Sequence, residues 1–174
     1  MFRNILLGLD FSASADHALT EAIELAERHG GRLTILTAIS GVRGWGAGPV
    51  ETVTAAQQLN AQLERDAVAL QQRAVARVPG CLPVSTIIRR APARRALTEA
   101  LRDGCYDGLV LGGSAHGRLR LTRSLTRHLI ARGGVPILVA GTGGEPSRLH
   151  LPGRSAPADA VEDPGLRPLA PPRP

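Results

Sequence analysis

Short, branched apolar runs alternate along this chain with longer stretches of helical spacing, and glycines, prolines and small polar residues punctuate each change. The first run, Ile5-Leu-Leu-Gly-Leu9, has no polar side to turn toward water, which is the pattern of a strand covered on both faces. It ends at Asp10, and Ser12 is suited to cap the next element. From residue 15 to 29 the apolar residues Ala18, Leu19, Ala22, Ile23, Leu25 and Ala26 fall on one helical stripe, which Gly30-Gly31 stops. Residues 33–39 read as a second strand. Beyond a Gly-rich loop over 41–49, Leu59, Leu63, Ala67, Leu70 and Ala74 recur every three or four residues. They predict a long helix over 51–78, ended by Pro79-Gly80. A third strand follows at 84–88, then a helix at 93–102 opened by Pro92 and closed by Gly104. A fourth strand lies at 108–111, a fourth helix at 124–132 before Gly133-Gly134, and a fifth strand at 137–140.

Strands that alternate with helices imply a parallel sheet whose right-handed crossovers cover both faces. The fold class is therefore α/β, doubly wound and Rossmann-like, with five strands. The 174 residues suit a single domain. Open sheets of this kind bind ligands at the carboxyl ends of strands, where the strand order reverses. If the first and fourth strands flank that point, Asp10 and Gly112 form opposite lips of one crevice. The domain is expected to span 1–142. From residue 143 onward the chain holds eight of its thirteen prolines and has no sustained periodicity. Residues 143–174 therefore read as a Pro-rich disordered tail; the alternative is that part of it packs as an extended strap.

Composition narrows the function. Hydrophobic residues make up 43% of the chain but aromatics only 2%, so the core must be built from Leu, Val, Ile and Ala. No apolar run approaches the roughly 20 residues of a membrane span, and the amino terminus lacks a secretory pattern. The expected location is the cytoplasm, with no membrane partner. Cys81 and Cys105 fit no metal or redox spacing and read as free thiols. The net charge is +6 and every basic side chain other than histidine is Arg. The arginines are scattered and lack aromatic neighbours, and Ala, Gly and Pro are abundant too, which points to coding bias rather than to a nucleic-acid partner. Without lysine, Schiff-base and P-loop chemistry are excluded, and no Ser-His-acid set or carboxylate pair is spaced for catalysis. No catalytic residue and no metal site is expected.

One stretch carries a binding signal. The apolar run at 109–111 breaks into Gly112-Gly-Ser-Ala-His-Gly117 and re-enters a helical pattern near Ser124. A strand, a Gly-rich loop and a helix in succession build an anion cradle, because glycine lets the backbone approach a phosphate and a helix N-terminus offers free N–H groups.

Three segments together resemble the universal stress protein family: Ile5-Leu-Leu-Gly-Leu-Asp-Phe-Ser-Ala-Ser-Ala-Asp-His-Ala-Leu19, Leu33-Thr-Ile-Leu-Thr-Ala-Ile39, and the run from Tyr106 through Ser124 to Val139. The match extends from residue 1 to about 141. The resemblance implies a five-stranded parallel sheet of order 3-2-1-4-5, a cytosolic stress-response role, homodimers paired through strand 5 (Ile137–Ala140) and, in one subgroup, bound ATP. That subgroup's phosphate motif is Gly, two residues, Gly, nine residues, Gly, then Ser or Thr. Here Gly112 keeps the first glycine, Ala115 replaces the second, and Arg123 replaces the third beside Ser124, with the loop two residues short. Gly113 and Gly117 offer a shifted turn.

The implied ligand is ATP or another adenine nucleotide, and the implied binding residues are Asp10, Ala38, Gly112, Gly113, Ala115, Ser124 and Leu125. Asp10 would accept from the adenosine moiety, or simply favour the first helix. Ala38 would line the adenine pocket through its backbone, or serve as core. Ser124 would donate to a phosphate and cap the fourth helix. His116, Arg118, Arg120 and Arg123 read as a solvated basic face, with phosphate contact as the alternative; His17, His29 and His128 read as surface residues. The expected function is a regulatory module that binds an adenine nucleotide with little or no hydrolysis. The alternatives are a dimeric interaction protein of the same fold that binds no nucleotide and, less favoured, a weak nucleotide hydrolase.

Overall fold

The structure is a computed structural model that describes residues 2–41, 50–113, 119–141 and 147–152, with 50–53 and 119–123 described by their backbone alone. Its elements in chain order are β1 (Asn4–Gly8), α1 (Ala15–His29), β2 (Arg32–Ala38), α2 (Val50–Ala76), β3 (Val84–Arg89), α3 (Ala93–Asp103), β4 (Gly108–Gly112), α4 (Leu119–Gly133), β5 (Ile137–Ala140) and β6 (Arg148–His150). They form one sheet of order β3-β2-β1-β4-β5-β6. The first five strands are parallel, in the expected order.

The apolar runs of the central strands serve two cores, one on each face. Ile5, Leu7, Ile35 and Val110 point toward Ala18, Leu19, Ala22 and Ala26 of α1. Leu6, Leu36, Leu109 and Ile137 point the other way, toward Ala96, Leu97, Ala100 and Leu101 of α3 and Leu129 of α4. Burying each Leu or Ile side chain contributes about 1.5–3 kcal/mol, and in β1 successive residues do so on opposite faces. The alanines of α1 let its backbone lie close to the sheet. Gly30 ends that helix in the left-handed region at φ 58° and donates its N–H to Ala26 and Glu27. The long helix α2 is tied to the sheet by one buried amide: Gln71 Nε2 donates to the carbonyl of Ile87 at 2.8 Å and lies 3.3 Å from the Ile35 carbonyl and Thr37 Oγ1.

Two expectations are corrected. The sheet has six strands, not five, because Arg148–His150 pairs antiparallel with β5. The part of the presumed tail at 147–152 is thus an extended strap, and strand 5 is not the free edge that a homodimer through Ile137–Ala140 would use. Residues 153–174 lie outside the described residues. Second, α4 begins at Leu119, so Ser124 sits in its second turn and does not cap it. The physical reason is visible at Arg123, where a glycine would weaken the helix by roughly 1 kcal/mol but arginine is among the better helix formers. Nothing in Leu119-Arg-Leu-Thr-Arg123 stops the helix from starting early.

Candidate functional site

The strand order reverses between β1 and β4, the position at which a crevice is expected. In the β1–β2 register Gly8 faces Leu36, and the same offset sets Asp10 level with Ala38. Leu9 N–H donates to the Leu36 carbonyl and Ile39 N–H to that of Arg89, so this end of the ladder is held beyond the strands themselves. In the β1–β4 register Gly8 faces Leu111, which brings Gly112 beside Leu9. The register therefore brings Asp10, Ala38 and Gly112 to the same carboxyl edge of the sheet.

The turn after β1 is built by the carboxylate. Asp10 Oδ1 accepts from the Ser12 backbone N–H at 3.0 Å and from Ser12 Oγ at 2.5 Å. Ser12 Oγ also lies 2.8 Å from Ser14 Oγ. This is an Asx turn, in which an Asp side chain stands in for a backbone carbonyl. It changes the expected cap: Ser14, not Ser12, is the N-cap of α1, and its hydroxyl points to Ser12 rather than to a helix N–H. Asp10 itself is exposed, while Ser14 is buried.

The glycines across the crevice have structural reasons of their own. A Cβ at Gly112 would stand 2.6 Å from Ser14 Oγ and 3.2 Å from the Ser14 carbonyl oxygen, so glycine lets the end of β4 touch the Asp10 turn. A Cβ at Gly113 would stand 2.6 Å from the Ala140 carbonyl oxygen. Gly113 N–H donates to that same oxygen at 2.9 Å, so it is already spent on β5. Ala115, His116, Gly117 and Arg118 lie outside the described residues, as do the side chains of Arg120 and Arg123.

The α4 side differs from expectation. Ser124 is exposed, and its Oγ accepts from Arg94 Nη2, in the first turn of α3, at 3.4 Å. Leu125 packs with the α3–α4 core rather than facing a ligand. One turn beyond Ser124, His128 is half-buried, and burial, reinforced by Arg94 and Arg132, holds its imidazole below the ordinary histidine range.

Thr126 was missed. Its residue is 6% exposed, and among the described residues its Oγ1 has no hydrogen-bond partner. Counting the glycine motif from Gly112 without a shortened loop places the motif hydroxyl at Thr126 rather than Ser124. That spacing was the available signal. Phe11 was also passed over: 57% exposed beside Asp10, it lines a groove of about 630 Å³ with Asp66, Ala69, Gln72, Arg73 and Ala76 of α2. A second groove, of about 620 Å³, runs between α2 and β3 past Val68, Val75 and Ile88. No helix among the described residues is long and apolar enough to cross a membrane.

Tested against an adenine nucleotide, the residues divide. The adenosine side offers an accepting carboxylate at Asp10 and the end of β2, while the groove beside Phe11 is lined by α2 and by neither Asp10 nor Ala38. The phosphate side keeps Gly112 and a buried hydroxyl at Thr126 that has no partner among the described residues, but the start of α4 is displaced from Ser124.

A doubly wound sheet with a crevice at its strand reversal defines an α/β protein of the Rossmann-like class. The family model for the universal stress protein family matches residues 1–141, and the chain belongs to that family. Among solved structures it is similar to universal stress protein UspA from Lactobacillus plantarum, with 23% identity and TM-score 0.62 over 80% of this chain and 98% of that one. It is also similar to a universal stress protein in complex with cAMP, with 22% identity and TM-score 0.54 over 81% of this chain and 98% of that one. A family protein from Arabidopsis thaliana with AMP bound shares 11% identity at TM-score 0.54, over 79% of this chain and 90% of that one. No curated protein matches the chain.

Proposed function

We propose that this chain is a cytoplasmic stress-response regulatory module whose crevice takes ATP or another adenine nucleotide. Asp10 accepts from the adenosine moiety, the backbone at Ala38 borders the base, and the phosphates lie toward Gly112. The observation that carries the reading is the register that brings Asp10, Ala38 and Gly112 to the carboxyl edge at the strand reversal, where a side chain at 112 would collide with Ser14 of the Asp10 turn. The AMP and cAMP complexes of fold relatives support the ligand class. The chain has no lysine for a phosphate loop, and in this reading binding acts as a signal with little or no hydrolysis. The functional domain in this reading is the family region. Calorimetric titration of the purified protein with ATP and with AMP tests the reading. Saturable heat is expected, and no heat at millimolar nucleotide overturns it.

A second reading is an interaction protein that binds no nucleotide. The early start of α4 and the spent Gly113 N–H favour it. If Ala115→Gly with two residues restored to the loop creates ATP binding that the native chain lacks, this second reading holds.

A further inference from the structure

Arginines that are spread along the sequence are sorted by the fold. α1 and α2 cover one face of the sheet, and α3 and α4 cover the other. α1 carries Asp16, Glu21, Glu24 and Glu27 against Arg28 alone, and α2 carries Glu51, Glu64 and Asp66 against Arg65 and Arg73. α4 carries Arg120, Arg123, Arg127 and Arg132 and no carboxylate, and α3 adds Arg94, Arg95 and Arg102 against Glu99 and Asp103. An acidic face and a basic face thus lie on opposite sides of one sheet.

Much of the basic charge is uncompensated. Arg95 pairs with Glu99 at 2.7 Å. Arg94, Arg102, Arg127 and Arg132 are exposed and have no ion pair among the described residues. Arg94 stands in the first turn of α3, where the helix dipole disfavours a cation, and reaches Ser124 Oγ of α4 only at 3.4 Å. His128, one turn before Arg132, is held below the ordinary histidine range by burial first and by Arg94 and Arg132 next.

The face also shows which anion it suits. Protein interfaces centre on buried aromatic or apolar anchors, and membrane-surface helices insert apolar side chains. The exposed large hydrophobic residues among the described ones are Phe11, Leu59, Val68, Leu149 and Leu151, none of them on α3 or α4. Single-stranded nucleic acid is held by stacking on aromatic side chains, and neither helix has a Phe, Tyr or Trp. What remains is a set of guanidinium groups on two neighbouring helices, the chemistry of contact with a duplex phosphate backbone, whose protein interfaces are polar and strongly positive.

We propose that the outer face of α3 and α4 is a docking surface for duplex nucleic acid, bound through its phosphates without regard to base sequence. The acidic α1–α2 face turns the opposite way, so the protein binds on one side only. The surface uses none of Asp10, Ala38 and Gly112, and it stands or falls apart from the ligand of the crevice.

The test is fluorescence anisotropy of the full-length chain, without nucleotide, on a mixed-sequence DNA duplex about two helical turns long. If Arg94, Arg102, Arg127 and Arg132 each meet one phosphate, affinity is expected to fall about 100-fold as salt rises from about 50 to about 200 mM. Arg102→Gln with Arg127→Gln is expected to weaken binding by about tenfold or more at about 50 mM salt and to halve the salt slope. Arg28→Gln with Arg65→Gln removes the same charge from the acidic face and is expected to leave affinity within about twofold. All four of these arginines are exposed, and thermal unfolding checks that each variant is folded. Poly-glutamate and phosphatidylglycerol vesicles are measured beside the duplex at matched charge. No binding to the duplex at about 50 mM salt, a basic-face variant that binds no more weakly than the acidic-face variant, or tighter binding to poly-glutamate or to the vesicles than to the duplex overturns the proposal.

Discussion

The turn after β1 and the segment after β4 face each other across one crevice, yet they handle their polar groups differently. On the β1 side Asp10 takes two hydrogen bonds from Ser12, and the Ser12 hydroxyl reaches that of Ser14, which is buried but not stranded. On the β4 side Thr126 Oγ1 is buried with no partner among the described residues, and Ser124 Oγ accepts from the exposed Arg94. The first side is completed by its own side chains. The second was to be completed by glycine geometry and a helix start at Ser124, and Arg123 moves that start away. A turn wired by side chains survives drift in its neighbours, whereas a cradle made of backbone depends on the few residues that hold the backbone in place.

Breaking the contact between the two sides should have the largest effect. Gly112→Val puts carbon into the space held by Ser14 and should cost about 1–3 kcal/mol or more, read as a lower midpoint in urea unfolding. Asp10→Ala tests the β1 side alone. It removes one acceptor of two hydrogen bonds, each worth about 1 kcal/mol at most in so exposed a turn, and should lower stability by about 1 kcal/mol while abolishing the calorimetric heat with ATP. A variant that loses stability but keeps full affinity would reduce Asp10 to a turn former.

The β4 side should respond with the opposite sign. Thr126→Val removes a stranded hydroxyl at nearly constant shape, so it should raise stability by about 1 kcal/mol without ligand, seen as a higher Tm. If Thr126 serves a phosphate, the same variant weakens ATP binding, and the two readouts move apart. The smallest effect belongs to Ser124→Ala. Loss of a true cap costs about 0.5–2 kcal/mol, but in the second turn the change should stay within about 0.5 kcal/mol. A larger loss in thermal unfolding would return the cap to Ser124.

The fold was legible because the central strands β1 and β4 are covered on both faces, and that leaves a short apolar run in the sequence. Ile5, Leu6 and Leu7 illustrate it: three neighbours, all fully buried, serving two different cores. The Asp10 lip was legible in its residues but not in its wiring, since Ser12 and Ser14 are equally good caps on paper. The start of α4 was not legible, because a helix begins where a breaker upstream allows it, and the serine at Ser124 looked like a start signal. β6 was not legible either. Arg148-Leu-His150 has no pattern of its own; it becomes a strand because β5 offers a backbone edge.

The direction of β6 decides where the rest of the chain sets out. β5 runs toward the crevice and β6 runs back, so His150 stands level with Ile137, near the end of the sheet where Asp107 accepts the Arg3 and Asn4 amides. The polypeptide beyond residue 152 thus departs from the pole opposite Asp10.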